Sequence, residues 1–211
     1  MSQLKPRCRL YLQAAAPFTA KQESLLSQAL STFSPACVLI RMGPEPTDTA
    51  VLDKLIDHIQ GAGAACLIEE NIETSADLGA DGVHILADEK LYQAARKVLG
   101  ESANIGVACG LNRHEAMELA ESGADYVAFS TPGQSDREVE FERLAETVAW
   151  WSEIFVVPCV AWNIADRAEA VALTKLGVDF IAPPSTIWDG DGALEALGEI
   201  DQAIGSIRRE A

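Results

Sequence analysis

Seven apolar runs in this chain are each followed by side chains that can bind or move charge. They are Arg41, Glu69 with Glu70, Asp88 with Glu89, Cys109, Ser130 with Thr131, Trp162 with Asn163, and Ser185 with Thr186. Glu70, Asp88 and Glu89 are carboxylates, acceptors that can meet positive charge or backbone N–H groups. Arg41 offers a planar fork for a phosphate or carboxylate. Ser130, Asn163, Ser185 and Thr186 supply hydroxyl and amide hydrogen bonds, and Trp162 with Trp188 could wall an aromatic ligand. Cys109 is a conceivable nucleophile, although no histidine stands beside it to act as base. The set contains no lysine, which argues against Schiff-base chemistry.

Each residue also has a plain structural reading. Arg41 could pair with Glu69 or Glu70 as a structural salt bridge. The paired acids suit helix starts, where a carboxylate complements the dipole. His84 lies inside an apolar run and reads as a hydrogen-bonded packing residue, while His58 and His114 fall on helices and read as surface groups. Trp150 and Trp151 end a helix and suit packing or a contact within a homo-oligomer.

These residues have to be held by a repeating frame. Leu78-Gly79-Ala80-Asp81-Gly82-Val83-His84-Ile85 joins a helix end, a glycine turn and a buried strand, and copies recur at Ser122-Gly123-Ala124-Asp125-Tyr126-Val127 and Leu176-Gly177-Val178-Asp179-Phe180-Ile181. Glycine there accepts the left-handed conformation that ends a helix. The copies are too far apart for one strand-helix unit each, so about twice as many strands as copies are expected. The apolar runs predict strands over Arg9–Leu12, Ala36–Ile40, Ala65–Ile68, Gly82–Ile85, Asn104–Ala108, Tyr126–Phe129, Phe155–Ala161 and Phe180–Ala182. Helices fit between them. One starts in a capping box at Thr19 to Gln22, and another carries Val51, Leu52, Leu55, Ile56 and Ile59 on one face. Others run over about Ile72–Leu78, Glu89–Leu99, from the cap at Asn112, Glu138–Trp151, Ala165–Leu176 and after Gly192. Eight such pairs predict a single (β/α)8 TIM barrel over residues 1–211, with the chemistry at the strands' carboxyl ends.

Composition narrows the partners. With 211 residues, 48% of them hydrophobic, the chain suits one core rather than two. A formal net charge of −16 leaves no basic patch for nucleic acid or an anionic membrane. The start, Met1 to Pro6, does not read as a secretory signal, and the longest apolar stretch, Ile154 to Trp162, is far below the ~18 residues of a membrane span. The expectation is a cytoplasmic protein. Its five cysteines lack zinc-ligand spacing, and Cys8, Cys37, Cys66 and Cys159 read as core residues.

The ordered set resembles the thiamine phosphate synthase and TenI superfamily over nearly the whole chain. The frame is closest from Glu69 to Val83, where the synthase has Asn-Asp-Arg and then Leu-Gly-Ala-Asp-Gly-Val-His, and from Val157 to Ile187. The resemblance implies a magnesium-dependent coupling of a pyrimidine diphosphate to a thiazole phosphate. Arg41 and Glu70 would then be catalytic, with Arg41 facing the diphosphate. Glu70 and Asp88 or Glu89 would hold magnesium, and Ser185 would meet the thiazole phosphate. Ser130, Trp162, Asn163 and Thr186 would complete the substrate site. Much of the family pattern has changed, however. Gln-Leu-Arg-Glu-Lys is Leu39-Ile40-Arg41-Met42-Gly43 here, and Asn-Asp is Glu69-Glu70. The serine after strand five is Ala108, and the histidine associated with the TenI-type tautomerase is Gly110. Thr-x-Thr-Lys is replaced within Ser130–Ser135. Gly-Gly is Asn163-Ile164, and Pro183-Pro184, which lack N–H donors, precede the matching Ser185. The alternative implied is a non-catalytic TenI-like barrel that binds a small heteroaromatic or phosphorylated ligand, or a partner protein, for regulation.

Overall fold

The computed structural model describes residues 8–16, 18–43, 47–133 and 136–207. Met1 to Pro6, and Gln134 with Ser135 of the loop after the sixth strand, lie outside them. Eight strands alternate with helices: β1 Arg9–Ala15, α1 Ala20–Phe33, β2 Cys37–Arg41, α2 Thr49–Gly61, β3 Ala65–Glu69, α3 Ile72–Asp77, β4 Gly82–Leu86 and α4 Glu89–Leu99. The second half continues with β5 Asn104–Gly110, α5 Arg113–Glu121, β6 Tyr126–Phe129, α6 Arg137–Ile154, β7 Cys159–Trp162, α7 Arg167–Leu176, β8 Phe180–Ala182, a 3₁₀ turn at Ser185–Asp189, and α8 Ala193–Gly205. Neighbouring strands pair in parallel, and β8 returns to β1 to close the barrel.

Strand alternation divides the apolar residues between two cores. Leu10, Leu12, Val38, Ile40, Cys66 and Ile68 face outward and pack against helix residues such as Leu26, Ile56 and Leu197. Tyr11, Cys37, Leu39, Leu67, Tyr126, Ala128, Val160 and Ala182 fill the barrel itself. Tyr126 can lie across the centre because β5 has glycine opposite it. A Cβ on Gly106 would stand 1.8 Å from the Tyr126 ring.

The lower rim, where the strands begin, explains the repeat. Asp81 accepts the N–H of Cys66 at 2.7 Å, Asp125 that of Ile105 at 2.7 Å, and Asp179 that of Cys159 at 2.9 Å. Each carboxylate of a repeat copy thus ties an even-numbered strand to the start of the strand before it, a charge-assisted bond made three times. At the opposite rim the helices begin, and most are capped by a side-chain oxygen. Thr19, Asp48, Asn71, Asp88, Asn112, Asp136 and Asp166 each accept a backbone N–H of the first turn. Part of the acidity around the mouth is therefore helix capping.

Six strands run further toward their carboxyl ends than the apolar runs suggest: β1 to Ala15, β2 to Arg41, β3 to Glu69, β4 to Leu86, β5 to Gly110 and β7 to Trp162. β7 also starts later than expected. Phe155 is an extended cap and Val156 is 98% exposed, so pairing begins only at Cys159, after Pro158. Polar residues expected in loops are consequently fixed on strands.

Candidate functional site

The mouth of the barrel holds a cavity of about 190 Å³ lined by Arg41, Glu69, Glu70, Ser130, Trp162 and Asn163, all expected there, and by Gln13 and His84. Gln13, Glu69, Ala108 and Trp162 come from the odd-numbered strands and form its upper ring of inward-facing residues. Leu86, 57% exposed, adds an apolar wall.

Arg41 is the one lysine or arginine lining this cavity among the described residues, and it is already paired. Its Nε donates to both Glu69 oxygens, at 2.9 and 3.2 Å. Glu70 follows in a left-handed backbone conformation, φ 53°, with its N–H given to the His84 carbonyl at 2.9 Å and its side chain exposed. Arg41, Glu69 and Glu70 together give the charged lining a formal excess of negative charge. Arg137, on α6 near the rim, is also engaged, since it donates to the Asn163 carbonyl at 3.2 Å and pairs with Glu169.

Beneath these charges lies an aromatic floor. The His84 ring stacks on Trp162 at 4.9 Å between centroids and on Tyr126 at 5.6 Å, and its Nδ1 lies 3.0 Å from the Tyr126 hydroxyl. That hydroxyl meets Tyr11 at 2.7 Å. Burial, and then the nearby Arg41 charge, bring His84 down to about 3, so it is a neutral imidazole at ordinary pH. The packing reading of His84 holds, yet the ring also forms part of the cavity surface.

Two buried polar atoms of the lining have no hydrogen-bond partner, Gln13 Oε1 and Trp162 Nε1. Gln13 is only 2% exposed, and its Nε2 donates to the Pro183 carbonyl at 2.9 Å, which leaves the amide oxygen as an acceptor. Sequence reasoning ended the first strand at Leu12 and so passed over Gln13. Continued alternation from Arg9 through Tyr11 would have carried a polar side chain inward.

The other expected site residues are elsewhere. Ser185 and Thr186 line a separate cavity of about 120 Å³, together with Phe18, Leu26 and Trp188. Trp188 is buried there, donating its Nε1 to the Gln13 carbonyl at 2.6 Å, so it does not join Trp162 at the mouth. Ile164, in the place of a family glycine, buries its side chain and gives its N–H to Ala182 at 3.1 Å. Asn163 takes the left-handed φ of 62° that a glycine would favour, a conformation asparagine tolerates better than most residues.

The carboxylates assigned to magnesium are engaged differently. Only Glu70 lines the mouth. Asp88 caps α4 through the Leu91 N–H at 2.8 Å, and Glu89 accepts from Gln93 and Ser122, each at 2.9 Å. Among the described residues no three His, Cys, Asp or Glu side chains are grouped to hold a metal ion. Cys109 is buried, and burial followed by the Glu115 charge pushes its thiol up to about 12, which disfavours the thiolate. Trp151 is fully buried against Phe129 and Phe155, and Trp150 lies under the Arg113 guanidinium at 4.7 Å. No helix among the described residues is long and apolar enough to cross a membrane.

Comparison with known proteins places the chain among relatives. A protein family described as thiamine monophosphate synthase matches residues 11–187. The thiamine-phosphate synthase of Rhodospirillum centenum is 34% identical over 187 residues, 86% of this chain and 90% of the relative. That of Erythrobacter litoralis is 38% identical over 143 residues, 64% of this chain and 66% of the relative. Among solved structures, a thiamine phosphate pyrophosphorylase from Pyrococcus furiosus superposes with a TM-score of 0.75 at 20% identity, covering 94% of this chain and 96% of its own. A mutant tryptophan synthase α-subunit from the same organism gives 0.68 at 12% identity, covering 97% of this chain and 100% of its own. Likeness at that level of identity carries the fold and not the chemistry.

Proposed function

This chain belongs to the thiamine monophosphate synthase and TenI family, and from that premise we propose that it acts in thiamine metabolism as a divergent synthase-like barrel. On this reading it holds a heteroaromatic ligand in its mouth and has lost efficient coupling of pyrimidine diphosphate to thiazole phosphate. One observation carries the proposal: Arg41, the cation lining the mouth, spends its Nε on Glu69. Coupling by departure of pyrophosphate depends on neutralising charge that builds on the leaving group. A clamp without lysine, and with its arginine tied to a carboxylate, stabilises that charge poorly. The remaining residues suit binding. Trp162 and His84 form a flat floor, Leu86 an apolar side, and Ser130 a hydroxyl at the rim.

The test is a turnover assay with pyrimidine diphosphate, thiazole phosphate and magnesium, run beside the Rhodospirillum centenum relative and paired with thermal melts in each ligand. Loss of several kcal/mol of transition-state stabilisation corresponds to a rate at least about 100-fold below that of the relative. Ligand-dependent stabilisation should nevertheless persist. Turnover equal to the relative's would overturn the proposal. Stabilisation with no turnover at all favours the second reading, a non-catalytic ligand-binding barrel, which the stacked aromatic floor supports.

A further inference from the structure

A second cavity lies outside the barrel interior, between the end of β1, the start of α1 and the 3₁₀ turn at Ser185–Asp189. Ala14 and Leu26 belong to the apolar layer between strands and helices, and both line this cavity together with Phe18 and Trp188. Its volume, about 120 Å³, suits a single ring, since an apolar protein cavity of about 150 Å³ admits benzene. The outer edge is polar and accessible, with Thr186 and Asp189 exposed. Charge at that edge is negative. Asp189 brings a carboxylate, and no lysine or arginine lines the cavity among the described residues. Lys21, next to the lining residue Gln22, is neutralised by Asp191 at 2.6 Å.

This outer cavity and the mouth are joined through one residue. Gln13 lines the mouth, and it holds the 3₁₀ turn from both sides. Its Nε2 donates to the Pro183 carbonyl at 2.9 Å, just before the turn, and its own carbonyl accepts the Trp188 indole N–H at 2.6 Å. A ring set against Trp188 in the outer cavity therefore bears on a side chain of the mouth.

We propose that the outer cavity is a second ligand site, for a single aromatic ring carrying a positively charged amine, and that Gln13 transmits its occupancy to the mouth. The ring packs on Phe18, Leu26 and Trp188, and the ammonium stays at the wet edge beside Asp189. An anionic group is disfavoured at the same edge. The site goes beyond the function proposed above and does not rest on it, because it holds whatever the mouth binds.

Titration of the ¹⁵N-labelled full-length protein with benzylamine, and with phenylacetate as a ring of opposite charge, tests this by nuclear magnetic resonance. Benzylamine should shift the Trp188 indole N–H and the Gln13 side-chain amide together, with one dissociation constant on the order of 1 mM. Phenylacetate should bind at least about threefold more weakly, and Asp189→Asn, at an exposed position, should weaken benzylamine about threefold. Ala15→Phe fills the cavity from an exposed strand end and should abolish both shifts. If Ala15→Phe does not fold, Asp189→Asn decides alone. Resonances that stay still well above that concentration, a Trp188 shift without one at Gln13, equal binding of phenylacetate, or unchanged affinity in Asp189→Asn each overturn the inference. All of them leave the turnover test of the mouth untouched.

Discussion

The two rims of this barrel are built on opposite rules. At the lower rim one joint is made three times: the aspartates of the repeat, Asp81, Asp125 and Asp179, each bind the amide at the start of the preceding strand. At the upper rim the polar side chains that line the cavity differ from strand to strand: Gln13, Arg41, Glu69, His84, Ser130 and Trp162. Arg41 is tied to Glu69, Asn163 stands in a glycine's conformation, and Gln13 and Trp162 keep unpaired atoms. Repetition marks the places where any departure costs stability, and variation marks those where the frame leaves chemistry free to change.

The sharpest way to break the comparison is at Gly82. A Cβ there would stand 1.9 Å from the Asn104 carbonyl oxygen, at a φ of 154°, so backbone would have to move. Gly82→Ala should lose about 3 kcal/mol or more, which for a chain of this size lowers the melting temperature by roughly 6–12 °C. Gly79→Ala is the control. It has nothing within 4 Å, only a φ of 66° to strain, and should cost about 1 kcal/mol. Equal losses would show that packing at the lower rim is looser than these contacts require.

Next in size is the carboxylate joint. Asp125 also receives the Arg96 guanidinium at 2.7 Å, so Asp125→Ala strands a strand amide and a cation together. A loss of about 2.5 kcal/mol in urea unfolding is expected. Asp81→Ala and Asp179→Ala should fall within about 1 kcal/mol of it if the three joints are equivalent. A spread wider than that would mean that the repeat is shared in sequence and not in energy.

The lower rim was legible in the sequence because its information is local. Glycine, aspartate and an apolar run adjacent in the chain fix a helix end, a tie and a strand in one place. Three strands or helices, β6, α4 and β8, fall on the residues expected from that pattern alone. The upper rim was legible only in part. Arg41, Glu70, Ser130, Trp162 and Asn163 do meet at the mouth, since a strand end fixes its side chains' place. Ser185 and Thr186 do not, because a 3₁₀ turn at Ser185–Asp189 places them beside Phe18 and Leu26, and no apolar period announces such a turn. Asp88 and Glu89 carried both a ligand and a helix-start reading, because a helix cap and a metal site use the same carboxylate, and the structure shows Asp88 capping α4. Gln13 was missed at a strand boundary, the feature that hydrophobic patterns define least well.

Between the rims, His84 gives a pH dependence. Burial holds it at about 3 against an ordinary value of 6.5. As the pH falls below 6.5 the unfolded chain takes up a proton that the folded chain refuses, so stability drops through this window at about 1.4 kcal/mol per pH unit. From pH 6.5 to 5, above most carboxylate titration, the loss is about 2 kcal/mol. His84→Gln should flatten that part of the profile, measured by urea unfolding at several pH values. A slope that survives the substitution would mean that the aromatic floor admits the charged imidazole.

The smallest stability effect tests the upper rim most directly. Arg41 and Glu69 have side chains 42% and 23% exposed, so their bond is screened by water and contributes less than about 1 kcal/mol. Glu69→Gln keeps the side chain's shape and one acceptor, so stability should hardly change. The charge balance does change, because the Arg41 guanidinium loses its counter-ion while Glu70 stays. Inorganic pyrophosphate should then bind severalfold more tightly than to the parent protein at low salt, with the gain fading once the Debye length falls below about 10 Å. A lower rim treated in the same way, by Asp125→Asn, should gain no anion affinity and should lose stability instead. If Glu69→Gln leaves pyrophosphate binding unchanged, the neutralised arginine is not what closes this mouth to anions, and the two rims differ in sequence more than in physics.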